Sequence, residues 1–167
     1  MKKVLLFILL LAPMAVMAQK FGHVNRQDII QAMPDYTKAK NEIDALQKQY
    51  EADLKSMQDE LTKKSQDYEA NEKTFPENIK QRRQQELQDM YQKIQQSYQD
   101  NQQALQKAQQ EKLGAIQEKV MAAVKKLGES GQYVYIVDIS TGAIPFVSTT
   151  LSTDITDQLK KEVGIAQ

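Results

Sequence analysis

Residues 68 to 83 read "YEANEKTFPENIKQRR", and Pro76 is the only proline between Tyr36 and Leu127. Over that whole span the only glycine is Gly114, and glutamine, lysine, glutamate, alanine and leucine dominate. All of these enter helices at little cost. A proline inside a helix costs about 3 kcal/mol, whereas in a first turn its missing N–H was unpaired anyway. "TFPEN" therefore reads as the end of one helix and the start of the next. Thr74 is the candidate cap, with Pro76 and Glu77 in the new first turn. The rival is one long helix kinked at Pro76.

The flanking segments favour a hairpin. Before the turn, apolar positions run Tyr36, Ala39, Ile43, Leu46, Tyr50, Leu54, Met57 and Leu61. After it they run Leu87, Met90, Ile94, Tyr98, Leu105 and Ala108, with Asn101 polar in the same series, then Leu113, Ile116, Val120, Val124 and Leu127. Steps of three and four mark one thin stripe on each helix, and a 4-4 step at Tyr50 lets the heptad slip. If the chain folds back at Phe75–Pro76, facing residues have numbers summing to about 151. Leu61 then faces Met90, Met57 faces Ile94, Leu46 faces Leu105 and Ile43 faces Ala108. Arms of about 35 to 40 residues extend roughly 50 to 60 Å. Glutamine is abundant on them, and an uncharged solvated face accounts for most of it.

The two ends of the chain are expected to meet in a small body. "KFGHVNRQDII" offers a strand around Phe21 and Val24, then a short helix capped by Asp28 and running through Met33. "GESGQ" ends the second arm after Leu127. "YVYIVD" reads as a strand, "IPFVS" as a second one bounded by Pro145, and "STDITDQLKKEVG" as a closing helix with Ile155, Leu159 and Val163 on one face. The fold class is α+β: a small β-containing body carrying a long antiparallel helical hairpin. The divisions are 1–18 for an export signal, 19–35 and 128–167 for the body, and 36–127 for the arm, with its tip near 71–79. A body of about 60 residues is marginal by itself. Without disulfides or metal, an obligate oligomer is the remaining route.

"MKKVLLFILLLAPMAVMAQ" has two lysines, an apolar run and a small-residue close, the layout of a signal peptide cleaved after about Ala18. Its apolar run is shorter than a spanning helix needs. Export points to a periplasm. Of 22 basic residues Lys2 and Lys3 leave with the signal, against 22 acidic ones, so the mature chain is near-neutral and slightly acidic. That balance gives no general pull toward nucleic acid. There is no cysteine and one histidine, His23, which reads as a structural or surface residue. No histidine pair, glycine-rich phosphate loop or assembled triad is present, so no enzyme, cofactor or metal site is expected. Lys80, Arg82 and Arg83 form a candidate charge patch at the tip for lipid headgroups or acidic segments, weighed against an ordinary solvated turn.

"FGHVNRQDII" and "STDITDQLKKEVG", with the two helices between them, resemble the Skp or OmpH-like family of periplasmic chaperones over essentially the whole mature chain. The resemblance implies a homotrimer whose bodies join through β strands and whose hairpins surround a cavity. It implies a holdase for unfolded outer-membrane β-barrel proteins that needs neither ATP nor metal. The best-known members look strongly basic, and this chain does not. Candidate client contacts are Tyr68, Phe75, Ile79, Tyr91 and Tyr98, each weighed against seam packing, which is the stronger reading for Tyr98. Candidate body and oligomer core residues are Phe21, Val24, Tyr133, Tyr135, Val137, Ile155 and Leu159. The competing reading is an exported coiled-coil spacer or adaptor that binds one folded envelope partner.

Overall fold

The computed structural model describes residues 19–165, so the expected export signal at 1–18 lies outside the described residues. Strand β1 (Lys20–Val24) leads into helix α1 (Arg26–Ala32), and helix α2 (Pro34–Asn71) runs outward from there. After a 3-10 turn at Glu72–Thr74, helix α3 (Glu77–Ser130) returns. Strand β2 (Tyr133–Asp138), a 3-10 turn at Ile139–Thr141, strand β3 (Ser152–Asp154) and helix α4 (Thr156–Glu162) follow. This is the α+β class read from the sequence, a helical hairpin on a small sheet.

The reversal is built from three residues. Phe75 is extended, as the residue before a proline must be. Pro76 is the cap residue of α3, and its carbonyl accepts from the amides of Ile79 at 2.9 Å and Lys80 at 3.1 Å. Pro76 thus stands one position ahead of the first turn expected for it. Thr74 does not cap α3: its hydroxyl donates back to the Asn71 carbonyl at 2.7 Å. The extended Phe75–Pro76 pair places Thr74 too far from the new helix's free amides. α3 has no side-chain cap at all.

Cross-arm contacts fix the pairing of the two helices. Near the tip Lys64 donates to Glu86, and Gln84 donates to the Tyr68 hydroxyl at 2.9 Å. Near the base Lys112 donates to Glu42, and Lys119 to Asp35 at 2.9 Å. Facing numbers thus sum to 150–152 near the tip and to 154 at the base, as a heptad slip that displaces one helix along the other would give. Ile43 and Leu46 therefore meet residues about three positions beyond Ala108 and Leu105, a correction to a constant register. Tyr98 also leaves the seam. Continuing the heptad from Leu87, Met90 and Ile94 brings Ser97 and Asn101 inward, and both are half-buried while Tyr98 is exposed.

The sheet has the order β2-β1-β3, with both pairings parallel. Parallel neighbours need a long crossover, and between β1 and β2 the whole hairpin serves as one. Gly22 and Val24 of β1 face inward. A Cβ on Gly22 would stand 3.1 Å from the Ile136 side chain and 3.2 Å from the Tyr133 ring, so glycine lets these two β2 side chains close over it. The core gathers Val24, Ile29, Met33, Ala39, Ile116, Val120, Ala123, Ile155, Leu159 and Val163. It draws on both ends of the chain and on the bases of both arms.

Four local expectations are corrected. Asn25, not Asp28, caps α1, accepting from the Asp28 amide at 3.2 Å. α3 continues through Gly128 to Ser130 and stops where Gly131 bonds the Leu127 carbonyl at 2.9 Å. Residues 144–148 form no strand, and Phe146 is 80% exposed. The third strand is Ser152–Asp154, in register with Phe21–His23. Pro145 has no N–H for a ladder, and the 152–154 segment takes the free edge of β1 while delivering Ile155 to the core.

Candidate functional site

Between Ile43 and Ile116, across both arms and the turn, no side chain is fully buried. The seam there is a single row of half-buried residues from each helix, and everything else faces solvent. A hairpin of this kind gains little from apolar burial and presents a large adaptable surface. Among the described residues no group of three or more histidine, cysteine, aspartate or glutamate side chains could hold a metal ion. No helix among them is long and apolar enough to cross a membrane.

The tip gathers three of the five expected contact residues. The Tyr68 and Phe75 rings lie 6.3 Å apart, tilted by 34°. Both are half-buried, as is Ile79. The Tyr68 hydroxyl donates to Glu72 at 3.3 Å. Desolvation and the nearby Glu72 charge raise its pKa. Tyr91 and Tyr98 stand apart from this cluster, farther along α3, and are 56% and 54% exposed. Gln102 donates to the Tyr98 hydroxyl at 2.7 Å, which pins that ring along the helix surface.

Within the expected charge patch, Lys80 and Arg83 have acidic partners, and Arg82 has none among the described residues. Arg83 turns inward and donates to Glu86 at 3.2 Å, while its Nε is buried without a partner. Lys80 stands 3.9 Å from Glu77. Arg82 has no ion-pair partner among the described residues and lines a shallow surface groove together with Arg83, Glu86, Asp89, Met90 and Lys93. The hydrogen bond from Lys64 to Glu86 holds that carboxyl below its ordinary pKa and raises the lysine. Two of the three cations are thus engaged locally.

The expected body residues fall into two sets. Val24, Ile155 and Leu159 are core, at 1% exposure or less. Phe21, Tyr135 and Val137 share the opposite face of the sheet, where Phe21 and Val137 are half-buried and Tyr135 is exposed. The Phe21 and Tyr135 rings sit 4.9 Å apart, yet Tyr135 remains 58% exposed. Tyr133 packs against the core with Lys20 over its ring at 4.2 Å, and its hydroxyl is buried without a partner. His23 joins this open face through its Nδ1, 2.9 Å from the Ser152 hydroxyl. Exposed Val134, Ile144 and Leu151, which the sequence reading did not single out, add to the uncovered apolar surface of the body.

The family model for outer membrane protein (OmpH-like) matches residues 20–163 of the chain. Six solved chains match it in three dimensions. One is an OmpH-like protein of Caulobacter crescentus CB15, 13% identical, covering 87% of this chain and 83% of that one, with a TM-score of 0.75. At that identity the likeness is one of fold. No curated protein matches the chain.

Proposed function

The chain belongs to the family of OmpH-like outer membrane proteins, and from that premise we propose an ATP-independent holdase that binds unfolded outer-membrane proteins in the periplasm and keeps them from aggregating. Its work is binding, not catalysis. The observation that carries this reading is the exposed hairpin, with no fully buried side chain between Ile43 and Ile116. Surface of that kind suits many weak contacts better than one rigid interface. The solved Caulobacter relative is itself described as a candidate outer membrane chaperone.

The finer assignment is a homotrimer, joined through the open sheet face of Phe21, Tyr135 and Val137. Its supports are a core too small to be comfortable alone and a partly exposed apolar face. In this division residues 19–35 and 128–167 form the body and 36–127 the arm. Tyr68, Phe75, Ile79, Tyr91 and Tyr98 supply client contacts. Arg82, the tip cation without an ion-pair partner among the described residues, is the member of the charge patch left to meet lipid headgroups.

Deletion of residues 62–90, closed by a short turn, removes the distal arms but leaves the body intact. Sedimentation is expected to give the same oligomer as the full chain, with suppression of β-barrel aggregation clearly weakened. Undiminished holdase activity in that variant would sink the assignment of the arms. Binding of a single folded partner, with no affinity for several unrelated unfolded precursors, would point instead to a spacer.

A further inference from the structure

Along α3 the half-buried seam residues Leu87, Met90, Ile94, Ser97 and Asn101 fix the heptad phase. In that phase two adjacent outward rows consist of glutamine alone. One row is Gln81, Gln88, Gln95, Gln102 and Gln109; the other is Gln85, Gln92, Gln99 and Gln106. Every one of them is exposed. Beside the first row, toward the seam, stand Tyr91 and Tyr98. The row next to the second glutamine row holds Arg82, Asp89, Gln96 and Gln103, with Gln85 donating to Asp89 at 2.7 Å, and Glu86, Lys93, Asp100 and Lys107 occupy the row beyond it. Gln99, Gln102, Gln103, Gln106 and Gln109 line a shallow groove together with Leu105. The two glutamine rows run from Gln81 to Gln109, roughly 40 Å at 1.5 Å per residue, with a side-chain amide about every 5 Å of rise.

We propose that this glutamine face is a docking surface for the extended main chain of an unfolded polypeptide. A carboxamide carries the same donors and acceptors as a peptide group, and it carries no charge. The partner that complements an uncharged double row of amides is one whose binding groups are neutral amides whatever its sequence, and an unfolded main chain meets that condition. The adjoining tyrosines supply flat, adaptable contact for client side chains. A folded helix, including a second copy of this arm, would find no apolar row to bury against these two rows. Gln88, Gln92, Gln95, Gln99 and Gln106 have no hydrogen-bond partner among the described residues. Those amides are therefore free to bind a client without first breaking an internal contact.

This inference rests on the holdase reading and assigns it a recognition chemistry, so its test separates the two. The probe is a urea-denatured outer-membrane β-barrel precursor diluted into the full-length protein. The variant Gln92→Ala, Gln95→Ala, Gln99→Ala and Gln106→Ala keeps helix propensity and neutrality while removing four amides and leaves the Gln102–Tyr98 contact in place. Each net hydrogen bond is worth about 0.5 to 1.5 kcal/mol, so affinity is expected to fall on the order of tenfold or more. Helicity by circular dichroism and the sedimentation coefficient should stay unchanged. An extended model peptide should also bind the wild type several-fold more tightly than its backbone N-methylated counterpart. Equal affinity of variant and wild type, equal binding of the two peptides, or a changed oligomeric state in the variant would overturn the proposal. If the wild type holds no precursor at all, the holdase reading itself fails.

Discussion

Asp138 accepts from the Arg26 guanidinium at 2.6 Å, and from the amide and hydroxyl of Ser140 at 3.0 and 2.6 Å. One carboxylate therefore ties the N-terminal strand–helix junction to the end of β2. Burial opposes its charge, but the hydrogen bonds from Ser140 and Arg26 outweigh that and hold its pKa below the ordinary value. A depressed carboxylate contributes stability that is fully present above the ordinary aspartate range, near 4, and is lost as pH falls through the lower folded value. Replacing it by Asp138→Asn is expected to cost about 1 to 3 kcal/mol near neutral pH. The gap to wild type should narrow as pH falls below the ordinary aspartate range and close only below the depressed folded value. Urea unfolding of both proteins near pH 7 and near pH 3 checks this, and an undiminished gap in acid would rule the charge out as cause. Leu159→Ala, at a fully buried site shared by α4 and the arm base, should cost about 2 to 5 kcal/mol by the same measurement.

The hairpin arms are weak by composition at the scale of the element. Ser97 and Asn101 sit half-buried in the seam of α3, where apolar side chains would hold the arms together. Asn101→Leu should therefore slow amide exchange in the middle of both arms without affecting the body. Exchange read by mass spectrometry would show this, and uniform change across the chain would argue against it. Reversal at Pro76 was legible because one proline in so long a helical stretch has few places to go. Its details were not: the extended Phe75–Pro76 pair, rather than Thr74, sets where α3 begins. The short third strand was illegible for another reason. Ser152–Asp154 has no strand signature and wins its place by occupying the free edge of β1, while the more apolar 144–148 stays unpaired. At the candidate site, Tyr68, Phe75 and Ile79 could be placed at the tip from sequence, but Tyr98 could not. Its position depends on whether the heptad continues through Ser97 or skips to the more apolar residue, and apolar character alone picks the wrong one. The glutamine rows were visible as composition, yet only a settled phase separates them from an ordinary solvated face.

At the scale of the molecule, a small core carries two arms that contribute little stability of their own. The body also leaves Phe21, Tyr135 and Val137 on a partly exposed sheet face, with Phe146 and Leu151 about four-fifths exposed beside the sheet. If the proposed trimer covers that face, folding and assembly are linked, and the melting temperature should rise with protein concentration. Tyr135→Glu places a charge where the partner's apolar surface would lie, at a position with room for it in the single chain. This variant should sediment as a smaller species, lose the concentration dependence of its melting, and keep the helical signal of the arms. It also isolates the value of assembly for function. Three tethered arms raise one another's effective concentration around a client, whereas a released arm keeps the same side chains without that gain. Suppression of precursor aggregation should therefore fall by an order of magnitude or more in Tyr135→Glu, although no arm residue has changed. Light scattering of a diluting β-barrel precursor, at matched arm concentration, makes the comparison. A monomeric variant that protects as well as the wild type would show that the arms act singly, and that the sheet face serves some purpose other than bringing them together.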